Sequence, residues 1–84
     1  MYQVTVRYFA AAAAAAGTAE EVVQLAEGAT VADLLEDLQR RHAGRLPQVL
    51  RCSSFLLDEV VVHDRLTVTR PGALVDVLPP FAGG

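Results

Sequence analysis

An α+β domain on a mixed sheet is the fold class that the sequence predicts. Residues at both ends alternate with the period of a strand, and a central stretch carries leucines with the period of a helix. The 84 residues suit one small domain, not two. With 52% hydrophobic and 20% charged residues, the chain has enough apolar material for a core and does not have the composition of a disordered segment.

The first strand spans about residues 2–9, where Tyr2, Val4, Val6 and Tyr8 alternate with Gln3, Thr5 and Arg7. Arg7 followed by Phe9 and the alanines has the outline of a signal peptide, but cleavage there would remove the clearest strand signal in the chain, so a retained strand is expected. Seven alanines follow, Ala10 to Ala16, closed by Gly17. Alanine is the best helix former and glycine a common stop, so a short helix packed on the domain is expected, a low-complexity loop being the alternative. Glu20 to Leu25 reads as the second strand, with Val23 and Leu25 facing the core.

Gly28 breaks the chain, and Thr30 with Asp33 has the form of a capping box. Val31, Leu34, Leu35 and Leu38 then follow the i, i+3, i+4, i+7 spacing of a long amphipathic helix that ends near residue 43, before Gly44. Its acids come early and Arg40 and Arg41 late, which complements the helix dipole. Arg45 to Arg51 reads as a loop with one turn. Ser54 to Leu57 and Val60 to Val62 suggest a hairpin, although Asp58-Glu59 is a poor two-residue turn, because a primed turn needs positive φ angles. A longer loop or an irregular register is expected there. Leu66 to Thr69 reads as a short strand or turn, Pro71-Gly72 as a turn, and Ala73 to Leu78 as the last strand. On that strand Val75 and Val77 share one face, and Leu74, Asp76 and Leu78 the other.

This order, with two N-terminal strands, a crossing helix and a last strand returning to the middle, is that of a β-grasp domain. A ferredoxin-like split βαβ has similar elements, and the pairing of the first and last strands distinguishes the two. The domain is expected to occupy residues 1–78, with residues 79–84 an extended tail.

Charge and cysteine content exclude several functions. With seven arginines, no lysine, ten acidic residues and a net charge of −3, the chain lacks the basic footprint of a nucleic-acid binder and favours partners with basic surfaces. The longest uncharged stretch, Tyr8 to Ala19, is twelve residues, below the ~18 to 20 that a membrane-spanning helix needs. Cys52 is the single cysteine, so no internal disulfide forms and a reducing, cytoplasmic location is expected. Neither His42 nor His63 has a second ligand at metal-binding spacing, and Cys52 has no partner histidine in a recognisable motif. No metal or cofactor is expected; the two histidines read as ordinary helix-terminal and loop residues, and Cys52 as a packed or idle thiol.

The C-terminus carries the chemistry. Leu78-Pro79-Pro80-Phe81-Ala82-Gly83-Gly84 follows the last strand, and two prolines cannot extend a sheet ladder, so the chain must leave the sheet. Six extended residues reach roughly 20 Å at ~3.3 Å each. A terminal Gly-Gly alone is weak evidence. Joined to the di-proline exit, it suits a carboxylate threaded into a partner's narrow channel, where side chains would clash. That carboxylate becomes an electrophile once a partner converts it, with ATP, to an acyl adenylate.

Val4 to Gly17 (VTVRYFAAAAAAAG), Gly28-Ala29-Thr30-Val31 and Val77 to Gly84 (VLPPFAGG) resemble the small-subunit family of molybdopterin synthase, a group of ubiquitin-like sulfur carriers. The resemblance implies that an activating enzyme adenylates Gly84 with ATP, and that a sulfur donor converts it to a thiocarboxylate. The tail then enters the large synthase subunit, where its sulfur builds the dithiolene of molybdopterin from cyclic pyranopterin monophosphate. Gly84 carries the sulfur, Gly83 permits threading, and Leu78, Pro79, Pro80, Phe81 and Ala82 meet the partner. The chain itself is expected to act as a sulfur-donor subunit without a catalytic mechanism of its own. Two features depart from the family: Asp58-Glu59 stands where Asn-Gly is frequent, and the first helix holds alanines where arginines and a leucine are usual. A carrier for thiazole, cysteine or tRNA thiolation, and a ubiquitin-like protein modifier, are the alternative readings; a plain interaction domain with an idle tail is a further one.

Overall fold

Residues 1–80 are described by the computed structural model, with strands β1 (Tyr2–Tyr8), β2 (Glu20–Leu25), β3 (Ser54–Leu57), β4 (Val60–Val61) and β5 (Leu74–Leu78) and helices α1 (Ala11–Ala16), α2 (Val31–Arg41) and α3 (Leu46–Cys52). The sheet order is β2-β1-β5-β3-β4. β1 pairs with β5 in parallel, and every other neighbouring pair is antiparallel. First and last strands adjacent and parallel at the centre of a mixed sheet make this a β-grasp domain, which decides against the split βαβ.

Alternation on β1 does what its period requires: Tyr2, Val4, Val6 and Tyr8 are buried under the helices while Gln3, Thr5 and Arg7 face outward. The stripe Val31, Leu34, Leu35 and Leu38 of α2 covers that inner face, together with Val23, Phe55, Val75 and Val77 from the other strands. The capping box forms: Thr30 Oγ1 accepts from the Asp33 N–H at 3.1 Å, and Asp33 Oδ2 accepts from the Thr30 N–H at 2.9 Å. Two further amides of the first turn, those of Val31 and Ala32, donate to the carbonyls of Thr67 and Arg65. The loop before β5 thereby satisfies a helix end whose N–H groups have no intrahelical acceptors. Thr69, buried in the same loop, donates its hydroxyl to the Ala29 carbonyl and bonds the Tyr2 hydroxyl at 2.7 Å.

Several expectations need correction. Arg45 to Arg51 is mostly helix, not loop: α3 starts with Pro47 in its first turn, where the missing N–H costs nothing, and buries Leu46 and Leu50 on one side. Asp58-Glu59 does close a two-residue hairpin in regular register, Leu57 pairing with Val60. Both turn residues take positive φ, 48° and 70°. Asp58 is held there by its own carboxylate, which accepts from the Leu74 N–H and from the Arg70 guanidinium, each at 2.9 Å. Of the two readings for Leu66 to Thr69 the turn holds at Arg65-Leu66, closed by the Thr67 N–H on the Asp64 carbonyl at 2.9 Å, and the strand reduces to a single bridge between Val68 and Thr30. β1 ends at Tyr8, and α1 begins at Ala11 after Ala10 turns the chain at φ 50°. The stop at Gly17 is as expected, with a left-handed φ of 77° and its N–H on the Ala13 carbonyl.

Candidate functional site

The tail leaves the sheet at its centre. Val77 lies between Tyr8 of β1 and Phe55 of β3, Leu78 pairs with Ser54, and the Phe9 N–H donates to the Val77 carbonyl at 3.2 Å. Pro79 and Pro80 follow without strand structure, the first half-buried and the second exposed. Lacking N–H groups, they end the ladder. A strand bonded on both sides is a rigid platform, so the root of the tail is fixed while the ladder holds. Phe81, Ala82, Gly83 and Gly84 lie outside the described residues.

Two helices flank this exit. Ala11 of α1, and Gln48, Val49 and Cys52 of α3, form with Pro79 and Pro80 a cavity of about 260 Å³, with Arg45 on its rim. Cys52 is exposed within it, not packed in the core. This wall is not legible in the sequence, where Arg45 to Arg51 reads as a loop with one turn and not as a helix. Pro47, with leucines on both sides of it at positions 46 and 50, was the available signal.

On the outer face of the sheet a row of residues crosses four strands in register: Glu20, Arg7, Asp76 and Leu56. The Arg7 guanidinium holds the Asp76 carboxylate through two hydrogen bonds, at 2.7 and 3.0 Å, and also lies 5.6 Å from the centre of the Phe9 ring. Asp76 lies on the strand face opposite Val75 and Val77, as the alternation of β5 predicts, and is nonetheless buried and paired near the tail root. On the inner side, His42 caps the end of α2 and its Nε2 lies 2.8 Å from Glu21 Oε2, with the His42 and Tyr8 rings edge to face at 6.1 Å. Burial pushes the Tyr8 phenol well above its usual range, the charge of Glu21 adding to the effect and Arg41 opposing it. His42 is therefore a packing partner, more enclosed than the ordinary helix-terminal residue expected. His63 is exposed.

Among the described residues no group of three histidine, cysteine, aspartate or glutamate side chains is placed to hold a metal ion. No helix among them is long and apolar enough to cross a membrane. What the domain presents is a rigid central strand aimed outward, with an ion pair on one side of the exit and a groove on the other.

Comparison with known proteins agrees with that geometry. A family model described as ThiS family matches residues 6–84. The molybdopterin synthase sulfur carrier subunit of Chlamydomonas reinhardtii is 31% identical over 83 residues, covering 98% of this chain and 99% of the relative. Among solved structures, SAMP1 from Haloferax volcanii superposes with a TM-score of 0.86 at 24% identity, covering 98% of this chain and 99% of the other. In a complex of subunits 1 and 2 of molybdopterin-converting factor from Helicobacter pylori 26695, one chain matches with a TM-score of 0.73 at 21% identity over 98% of this chain and 99% of that chain. These two structures share the ubiquitin-like β-grasp fold seen here. Matched by its family model nearly throughout, and similar over almost its whole length to a molybdopterin synthase sulfur carrier subunit, the chain belongs to the ThiS family.

Proposed function

We propose that this chain is the sulfur-carrier small subunit of a molybdopterin synthase, with residues 1–78 as the folded body and residues 79–84 as the arm that delivers the sulfur. The observation that carries the reading is the tail: Leu-Pro-Pro-Phe-Ala-Gly-Gly launched from the central strand of a ThiS-family domain. In this reading the Gly84 carboxylate attacks the α-phosphate of ATP on an activating enzyme and releases pyrophosphate. Hydrosulfide delivered by the sulfur donor then attacks the acyl carbon and displaces AMP, leaving a thiocarboxylate in which one oxygen has become sulfur. Gly83 keeps the approach narrow, while Leu78, Pro79, Pro80, Phe81 and Ala82 contact the partner. The subunit complex from Helicobacter pylori supports a large synthase subunit as that partner. The body supplies position and the partners supply catalysis, in keeping with a cytoplasmic protein that needs no cofactor of its own.

Intact-mass measurement tests this. Incubation with an activating enzyme, ATP and a sulfur donor is expected to exchange one oxygen for one sulfur at Gly84. An unchanged mass, under conditions that thiolate a control carrier, refutes the reading. A lysine-linked adduct of the chain in cell extract turns it towards a protein modifier.

A further inference from the structure

The two edges of the sheet differ in chemistry. β2, at one edge, carries Glu20 and Glu21, the kind of charge that keeps an edge strand from pairing. β4, at the other, is Val60–Val61 and runs on into Val62 without a charge. Val60, Val61 and, in the loop before β5, Val68 are 68%, 51% and 53% exposed, three of the seven large apolar side chains that the described residues leave open. With Val62, Thr67 and Arg70 they line a groove of about 400 Å³ along the strand. The register shows which backbone groups this edge offers. The Asp58 N–H donates to the Leu74 carbonyl and the Val62 N–H to the Phe55 carbonyl, so Leu56 turns its polar groups to β5, whereas Phe55 and Leu57 turn theirs to Val62 and Val60. The N–H and carbonyl of Val61 therefore face outward, with no backbone partner among the described residues.

We propose that this edge pairs antiparallel with the same edge of a second copy, about a two-fold axis at Val61, joining the two sheets into one. The axis makes Val61 its own partner, so its outward N–H and carbonyl exchange hydrogen bonds with Val61 of the second copy. Val60 then lies opposite Val62 of the second copy on the groove side, apolar against apolar. Glu59 lies opposite His63, an acid against an imidazole on each side of the axis. The chain bends at His63, which ends the pairing before Asp58 and Asp64 are brought together. Both copies use the same patch, so the assembly closes at two. So short a strand makes a small interface, and the association is weak and concentration-dependent. β4 and β5 both run antiparallel to β3, so the axis points the two β5 strands in opposite directions. Each chain then leaves its sheet at Leu78 on its own end of the joined sheet, and pairing blocks neither exit.

Sedimentation equilibrium of the full-length chain over about a hundredfold range of concentration tests this, with amide shifts recorded over the same range. The average mass is expected to rise from one chain towards two, with the shifts gathered at residues 59–63 and Val68. Val61→Pro removes a donor that no bond within the chain uses, and Val60→Lys puts an edge-blocking charge at an exposed position; both are expected to stay monomeric. Circular dichroism checks the fold of each, and Val60→Lys alone carries the test if the proline variant unfolds. Glu59→Lys is expected to weaken association by about tenfold, from two symmetric pairs, and Glu59→Lys/His63→Glu to recover it. A chain that stays monomeric throughout overturns the proposal, as does self-association that shifts β2 instead of β4 or survives Val60→Lys unchanged. A reversed pair that associates no better than Glu59→Lys overturns the axis at Val61. No sulfur transfer enters these measurements, so their outcome and that of the carrier reading are separate.

Discussion

Arg7 of β1 and Asp76 of β5 are register partners in the parallel pair at the centre of the sheet, and the guanidinium meets the carboxylate at two points. The carboxylate is almost fully covered, with 5% of its side chain exposed, whereas Arg7 keeps 39%. Removing the guanidinium leaves a covered charge without a partner. Arg7→Met is therefore expected to destabilise the fold, by less than the loss of one partner from a fully buried pair because Arg7 still reaches solvent. Arg7→Met/Asp76→Leu should recover most of that loss. Urea denaturation of both variants checks it, and a double variant no more stable than the single one would show that the pair is not the cause.

The hairpin stores strain at Glu59. Its φ of 70° lies in the left-handed region, where a side chain costs about 1 to 2 kcal/mol and glycine nothing comparable. Glycine's greater freedom in the unfolded chain offsets part of the gain, so Glu59→Gly is expected to stabilise by about 0.5 to 1 kcal/mol. An unchanged denaturation midpoint would mean that the turn relaxes without penalty.

At the preceding residue the same relief should fail, because Asp58 earns its position through hydrogen bonds. The Leu74 N–H first, and then the Arg70 guanidinium, hold its carboxyl below the usual carboxylate range. A depressed carboxyl contributes stability at pH values above its unfolded pKa of about 3.9, and that contribution disappears as pH falls through the lower folded value. Asp58→Asn should lose stability at pH 7 but show a shallower acid limb. Urea midpoints between about pH 2 and 5 compare the two chains, and parallel acid limbs would exclude Asp58 as a source of the dependence.

Much of the architecture was readable because each element carried its own period. Residues 2 to 8 and the leucines of α2 need no distant information to show which side they bury. α3 is legible only as a loop with one turn: two buried leucines in seven residues give too little period to separate a full helix from a single turn, and a proline such as Pro47 suits either. The turn at Asp58 defied its local preferences because its support comes from Arg70 and Leu74, twelve and sixteen residues onward. Asp76 and His42 likewise depend on Arg7 and Glu21, which only the folded sheet and helix bring near. At the site, the tail announced itself by composition, whereas the groove beside it exists only where α1 packs on α3.

Tyr8 gives the opposite pH dependence from Asp58. Its hydroxyl is buried beside the Glu21 carboxylate without a hydrogen bond of good geometry, and burial raises its pKa, with Glu21 adding to the effect. The native state thus keeps a proton that the unfolded chain releases near pH 10, so stability is complete below that pH and falls as pH rises above it. Tyr8→Phe should flatten the alkaline fall. At pH 7 it should leave stability unchanged or raise it by up to about 1 kcal/mol, since an unpaired buried hydroxyl is lost. A large loss at pH 7 would instead reveal a hydrogen bond to that hydroxyl.

The position of the terminal carbonyl carbon is the strictest requirement of the proposed chemistry, since two different partners, the activating enzyme and the synthase, must find it at a fixed depth. Deleting Gly84 draws that carbon back by about 3.3 to 3.6 Å, whereas reacting groups tolerate errors of only about 1 Å. Sulfur transfer should therefore fall by at least about a hundredfold, the loss expected from a misplacement of even 1 Å. Appending one alanine should have the same effect, by moving the carboxylate onto a different residue. Gly83→Val should also fail, but through width: a branched side chain fills the space that a bare backbone leaves and narrows its conformational range. Because β5 and its ladder lie upstream of all three changes, circular dichroism should report an intact fold in each variant. Sulfur transfer at the wild-type rate by the chain lacking Gly84 would show that the reactive carbon lies elsewhere.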